Sequence, residues 1–143
     1  MTIPRFQAWQ FLYPGLDVAD LEAGLALAPT GRIAMVSDRA SIRQAILLLL
    51  STRPGERVMR PTYGCDLSRL VFQPNDATTA GLAVHYVRQA LLRFEPRIEI
   101  VSLDAQEDPG DPGRLLIRLD YRRKATRELD RLTYAVHLTG EPL

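Results

Sequence analysis

The side chains best suited by type to nucleophilic or metal chemistry are a lone cysteine, Cys65, and two histidines, His85 and His137. A cysteine with a histidine elsewhere in the chain is the minimal sign of a thiol nucleophile, but no local signature surrounds Cys65. A lone cysteine more often packs as a small hydrophobe. Two histidines and one cysteine at these separations fit no zinc-ligand spacing, so neither a metal nor a cofactor is expected. The remaining candidates are carboxylates. Glu56, Asp66 and Glu95 could in principle form the acid pair of a glycoside hydrolase, which needs one carboxyl kept protonated. Arg53, Arg57 and Arg97 lie beside Glu56 and Glu95, and a neighbouring guanidinium favours the ionised form. With one Trp and 7% aromatic residues, the chain also lacks the usual stock for a sugar cleft. No phosphate-cradling glycine loop or nucleophile elbow occurs. The sequence therefore predicts no catalytic residues.

One local conflict remains. Glu95 falls at the C-terminal end of a predicted helix, where the dipole disfavours an anion by ~0.3–1 kcal/mol. Local rules are broken where a partner or a function compensates. Two readings stand: an ion pair with Arg97 or Arg57 that pins the helix-to-strand corner, or a contact with another molecule.

Positioning these residues requires two helices and three strands. Ser41-Ile-Arg-Gln44 has capping-box spacing and opens a helix to about Ser51, stopped by Arg53-Pro54-Gly55. Ile42, Ala45, Ile46, Leu49 and Leu50 make one face, and Leu47 and Leu48 widen it almost all the way round. Such a helix is buried on nearly every side, either inside this domain or partly by another chain. After a loop over 55–66 come the apolar residues Leu67, Leu70, Val71 and Phe72. Asp76 is the expected N-cap of a second helix running to Phe94, with Val84, Val87, Leu91 and Phe94 on one face and His85, Arg88, Gln89 and Arg93 on another. Pro96 ends it.

The last third changes period from 3.6 to 2. Leu115, Ile117, Leu119 and Tyr121 alternate with polar residues, as do Leu132, Tyr134, Val136 and Leu138. Ile98, Ile100, Leu103 and Ala105 form a third strand whose phase slips at Val101-Ser102, the mark of a bulge. Polar, turn-rich connections are expected over 107–113 and 124–130. The pattern predicts an α+β domain: a small antiparallel three-stranded meander with two main helices on one face. It occupies 32–143, preceded by a lead-in over 1–31. Within that lead-in, 17–27 carries a short helical pattern, and Ile33-Ala-Met-Val36 reads as a strand.

Composition narrows the function. The chain has 143 residues, 46% of them hydrophobic and 24% charged, the profile of a globular domain. Its longest apolar run, Ala45 to Leu50, is far short of the ~20 residues of a membrane span. Eighteen basic against 17 acidic residues give a net charge of +1, which argues against binding nucleic acid by phosphate neutralisation. All the basic residues but Lys124 are arginines; Arg suits planar pairing with carboxylates, and a coding bias explains the skew equally well. The amino end carries no apolar h-region, so cytoplasmic synthesis is expected.

Thr52-Arg-Pro-Gly-Glu-Arg57, Met59-Arg-Pro61, Tyr63-Gly-Cys65, Leu70-Val-Phe72-Gln-Pro74 and Glu95-Pro-Arg97 occur in that order. Together they resemble the baseplate wedge family of contractile tails. That family includes the T-even phage wedge protein once labelled a lysozyme and the type VI secretion counterpart TssE. The resemblance spans about 33–139. It implies a fold related to a sheath domain and a structural role without catalysis or cofactor. The implied partners are sheath subunits and other wedge proteins, with hub, spike and tube proteins nearby, in a sixfold-symmetric assembly of a tail-like particle. The family's Glu-Pro-Arg motif faces the core bundle of neighbouring wedge proteins. By that likeness Glu95, Pro96 and Arg97 are partner-binding residues, and the loop Pro54, Gly55, Glu56 and Arg57 supports the same corner. The wording around Gly55-Glu-Arg57 is closer to extracellular contractile injection particles than to type VI machines. A small cell-wall glycan hydrolase and a free-standing adaptor domain are the alternatives from other classes.

Overall fold

The computed structural model describes residues 7–9, 11–12, 24–25, 30 and 35–140. The chain divides into two compact units, Met1–Ala45 with Leu143, and Ile46–Pro142.

In the first unit, β1 (Gln7–Trp9) pairs antiparallel with β4 (Met35–Ser37), Ala8 opposite Val36. β2 (Phe11–Leu12) pairs in the same sense with β3 (Gly24–Leu25). The helix expected over 17–27 is thus corrected at Gly24 and Leu25, where ladder bonds to a distant strand override the local pattern; the rest of that stretch lies outside the described residues. The strand expected at Ile33 to Val36 is realised one residue later in part, as β4, and 33–34 also lie outside the described residues.

Helix α1 (Asp38–Ser51) starts four residues ahead of Ile42, the first helical residue that a Ser41 N-cap implies, leaving Ser41 inside the helix and buried. Its start is set by where β4 stops pairing, a non-local event. Its end is as expected: the Thr52 hydroxyl donates to the Leu48 carbonyl at 2.5 Å. Ile42, Ile46, Leu47, Leu49 and Leu50 are all at most 3% exposed in the single chain. Leu48 is half-buried, so the chain itself covers most of the apolar circumference, the first of the two alternatives.

The second unit is built on a sheet of order β5-β6-β7: Ile98–Asp108, Asp111–Arg123 and Leu129–His137. Its inner face is the alternating set read from the sequence. Leu119 sits opposite Leu103 and Leu132, and Ile117 opposite Ala105 and Tyr134. The register shifts between Ile100 and Ser102, the expected bulge, which keeps Ile98 and Leu103 on one face. A second shift follows at Glu107–Asp108. Contrary to a turn over 107–113, pairing continues to Asp108 and resumes at Asp111. Asp108 makes the tight turn possible: its carboxylate accepts from the Gly110 N–H at 2.9 Å and pairs with Arg114. Deeper in the sheet, Tyr121 donates its hydroxyl proton to Asp130 at 3.1 Å.

Helix α2 (Ala77–Phe94) packs on β5 and β6 through Thr79, Ala83, Val87, Ala90 and Leu91. The small side chains at 83 and 90 let the helix approach the sheet closely. Asp76 caps it as expected, its side chain accepting from the Thr79 N–H at 2.9 Å. Asn75 fixes the helix start to the sheet by donating to the carbonyls of Pro112 and Arg114. The α+β architecture read from the sequence is the one observed.

Of the apolar group after the loop, Leu67 and Leu70 are buried in a short 3-10 helix, Asp66–Leu70. Phe72 is 80% exposed with φ +68°, its N–H donating to the Leu138 carbonyl at 2.6 Å and its ring beside Gly140.

Candidate functional site

Two stretches far apart in sequence meet at the C-terminal end of α2. The first is the helix-to-strand corner itself. Glu95 follows the last turn, its N–H donating to the Leu91 carbonyl at 2.9 Å, and Pro96 stops the helix. The Glu95 carboxylate is only 5% exposed and accepts a two-pronged bond from Arg97, 2.7 Å from Nε and 2.9 Å from Nη2. The alternatives for its partner are thereby decided in favour of Arg97. This fork holds the Arg97 guanidinium above its usual pKa, through the bond to Glu95 first, against the opposing effect of burial. Arg97 also accepts, through its carbonyl, the Lys124 N–H at 3.0 Å, tying the corner to the end of β6. Its side chain remains 27% exposed, and Pro96 is exposed.

The second stretch is the loop over 53–65. Its ends are closed by the Cys65 N–H on the Thr52 carbonyl at 2.9 Å and by the Gly55 N–H on the Pro61 carbonyl at 2.7 Å. Gly55 (φ +88°) and Gly64 (φ +140°) supply the backbone shapes that L side chains avoid. Glu56 is turned into its own loop, accepting from the Arg53 N–H at 2.9 Å. Tyr63 reaches the helix end, edge-on to Phe94 at 5.2 Å between ring centroids, with Arg57 stacked 4.6 Å from its own ring. Burial pushes the Tyr63 phenol up, Arg57 and Arg60 pull it down, and the field of Glu95 raises it. Tyr63 is therefore the element through which the 54–57 loop and the Glu95 corner adjoin.

Sequence reasoning singled out Pro54 to Arg57 and Glu95 to Arg97 but not the guanidiniums of Arg60 and Arg93. These lie 5.1 Å from the rings of Tyr63 and Phe94 respectively. Nor were Val58 and Met59 among the expected partner-binding residues, although Met59 opens one of the family motifs; they are 94% and 91% exposed. The available signal was an apolar pair flanked by arginines in an otherwise polar loop.

The chemistry weighed for catalysis is not assembled. Burial pushes the Cys65 thiol up to about 12, so it is not a thiolate near neutrality. His85 is exposed beside Tyr86. Of the three carboxylates, Glu95 is occupied by Arg97, Glu56 by its own loop, and Asp66 lies 3.8 Å from Arg69. Among the described residues no group of three His, Cys, Asp or Glu is gathered for a metal, and no helix is long and apolar enough to cross a membrane.

The profile of the family described as baseplate wedge protein gp25 matches residues 36–128, well over half the chain. This chain belongs to that family. The matched span lies within the 33–139 over which the motifs resemble it, and it takes in both stretches of the corner. Over 64 residues the chain is 33% identical to the baseplate wedge protein gp25 of Enterobacteria phage T4, a match covering 45% of this chain and about half, 48%, of that protein. A crystal structure from Geobacter sulfurreducens, described as a candidate tail lysozyme, is similar at 41% identity and a TM-score of 0.66, covering 73% of this chain and 96% of that one. A chain in the baseplate of the anti-feeding prophage shares the fold at a TM-score of 0.63 and 18% identity, covering 95% and 87% of the two chains.

Proposed function

We propose that this gp25-family chain is a structural subunit of the baseplate wedge of a contractile, phage-tail-like particle, made in the cytoplasm and built into that particle. The observation that carries the reading is the family match over 36–128, which contains the Glu95-Pro96-Arg97 corner and its supporting loop. In this reading Glu95 is the positioning residue. Its buried carboxylate sets the plane of Arg97, and the exposed edge of Arg97 with Pro96 and the Pro54–Arg57 loop meets neighbouring wedge proteins.

The chain would also link wedge to sheath and template the first extended sheath layer. Among the described residues, β5 and β7 each pair on one side only. Such an open edge accepts a strand from another protein. Hub, spike and tube proteins complete the surroundings of a sixfold assembly. The test is affinity purification of the tagged chain from its native host, with mass spectrometry and negative-stain imaging. Sheath and wedge proteins together with tail-like particles are the expected result; a lone chain without partners overturns the reading. Unchanged hydrogen exchange along β5 and β7 on assembly would overturn strand addition alone.

The second reading is a cell-wall glycan hydrolase, favoured by the description of the Geobacter sulfurreducens neighbour. The occupied carboxylates speak against it. Clearing of a peptidoglycan suspension, abolished by Glu56→Gln or Glu95→Gln, would establish it instead.

A further inference from the structure

The corner carries an unbalanced charge that the wedge reading does not by itself explain. Arg53, Arg57, Arg60 and Arg93 are all exposed, and among the described residues none forms an ion pair with a carboxylate. Glu95 is paired with Arg97 and Asp66 with Arg69, and Glu56, whose carboxylate accepts from the neutral Arg53 N–H, offsets only one of the four guanidiniums. In a chain whose net charge is +1, this is a concentrated basic patch.

Three of the guanidiniums are also preorganised. Arg57 and Arg60 lie over Tyr63, and Arg93 lies over Phe94. Stacking fixes the plane of an arginine while leaving its N–H edge to bind a carboxylate in two-pronged fashion. Between the loop and the last turns of α2 is a cavity of about 280 Å³ whose lining mixes Pro54, Pro61, Tyr86 and Phe94 with Asp66, Gln89 and Arg93. That falls just under the roughly 300–1,000 Å³ of small-molecule clefts, which suits an inserted side chain better than a cofactor. In the same loop, Val58 and Met59 stand almost fully in water.

We propose that this groove binds an acidic segment of a partner protein, seating one aromatic or large apolar side chain in the cavity while its carboxylates pair with Arg57, Arg60 and Arg93. The proposal rests on the wedge-subunit reading and adds the chemistry of the surface that meets this corner. The rings of Tyr86 and Phe94 in the cavity and the exposed Val58 and Met59 favour a peptide over a phosphate polymer, which offers no side chain to cover them.

The experiment uses the full-length chain and fluorescence anisotropy. The probe is a fluorescein-labelled peptide of eight glutamates around a central tryptophan; its counterparts carry glutamine for every glutamate, or alanine for the tryptophan. Saturable binding of the acidic tryptophan peptide is expected. Loss of about tenfold or more is expected with the glutamine peptide and with the Arg57→Gln/Arg60→Gln variant. A smaller loss is expected with the alanine peptide and with Met59→Gln, which reads the same surface should the double variant melt abnormally. No saturable binding, equal binding of the glutamine peptide, or an unchanged constant for the variants would overturn the proposal. Inorganic polyphosphate competing as well per charge would overturn it in favour of a general polyanion surface. The assay needs no tail proteins, so its failure leaves the wedge reading standing, and a lone chain in the host purification leaves the peptide result standing.

Discussion

Removing Arg97 should destabilise the protein more than neutralising Glu95, although both changes break the same pair. The asymmetry comes from burial. Glu95 is 5% exposed, whereas the Arg97 side chain is 27% exposed and can turn to water. Arg97→Ala therefore strands a carboxylate inside the corner, at a helix C-terminus whose dipole already disfavours it. An uncompensated buried charge of this kind costs about 3–5 kcal/mol, and water entering the space left by Arg97 places the loss near the lower figure. For a chain of 143 residues that corresponds to a melting temperature lower by roughly 10 °C. Glu95→Gln keeps an acceptor for one of the two bonds and leaves Arg97 solvated, a loss of about 1 kcal/mol. Thermal unfolding followed by circular dichroism, with urea titration as the second measure, separates the two. A loss of less than about 2 °C in Arg97→Ala, or the reverse order of the two variants, would refute the claim that the pair pins the corner.

Two further predictions concern the loop and the acid limb of stability. Gly64→Ala places a Cβ 2.7 Å from the Thr52 carbonyl oxygen and 2.8 Å from Arg53 backbone at φ +140°, whereas Gly55→Ala meets nothing within 4 Å. The Gly64 variant should lose about 2–3 kcal/mol and the Gly55 variant about 1 kcal/mol; equal urea midpoints would remove the steric argument. Asp76, Asp108 and Asp120 have carboxyls held below the usual 3.8, by the N–H of Thr79, by the N–H of Gly110 ahead of Arg114, and by Arg131. A folded pKa below the unfolded one gives stability that is present above 3.8 and lost as pH falls through the folded values. The melting temperature should accordingly drop on acidification below about pH 4 and less steeply in Asp108→Asn; a melting temperature that holds or rises over that range would contradict the sign.

Features governed by neighbours a few residues apart were legible in the sequence wherever no distant strand competed for the same backbone. Asp76 as N-cap and Phe94 as the last residue of α2 follow from a side-chain oxygen three residues from an amide and from Pro96. The alternation of β6 and β7 and the slip at Val101 are properties of single strands, legible because one face of each must leave water. The ordered motifs around Pro54, Met59, Tyr63 and Glu95 were sufficient to suggest the family. Tertiary structure decided where non-local bonds choose. Pairing of β3 with β2 overrode a helical pattern at Gly24, and the end of β4 placed the start of α1 ahead of Ser41. The turn at Asp108 tightened because Arg114 and the Gly110 amide converge on one carboxylate. The site depended on it most. Local sequence left Arg57 and Arg97 as equal partners for Glu95, and Arg93 looked like any solvated helix residue. Packing of Tyr63 against Phe94, with Arg60 over the same ring, brings the loop to the helix end, because ring contact and burial fix side chains that chain connectivity leaves free.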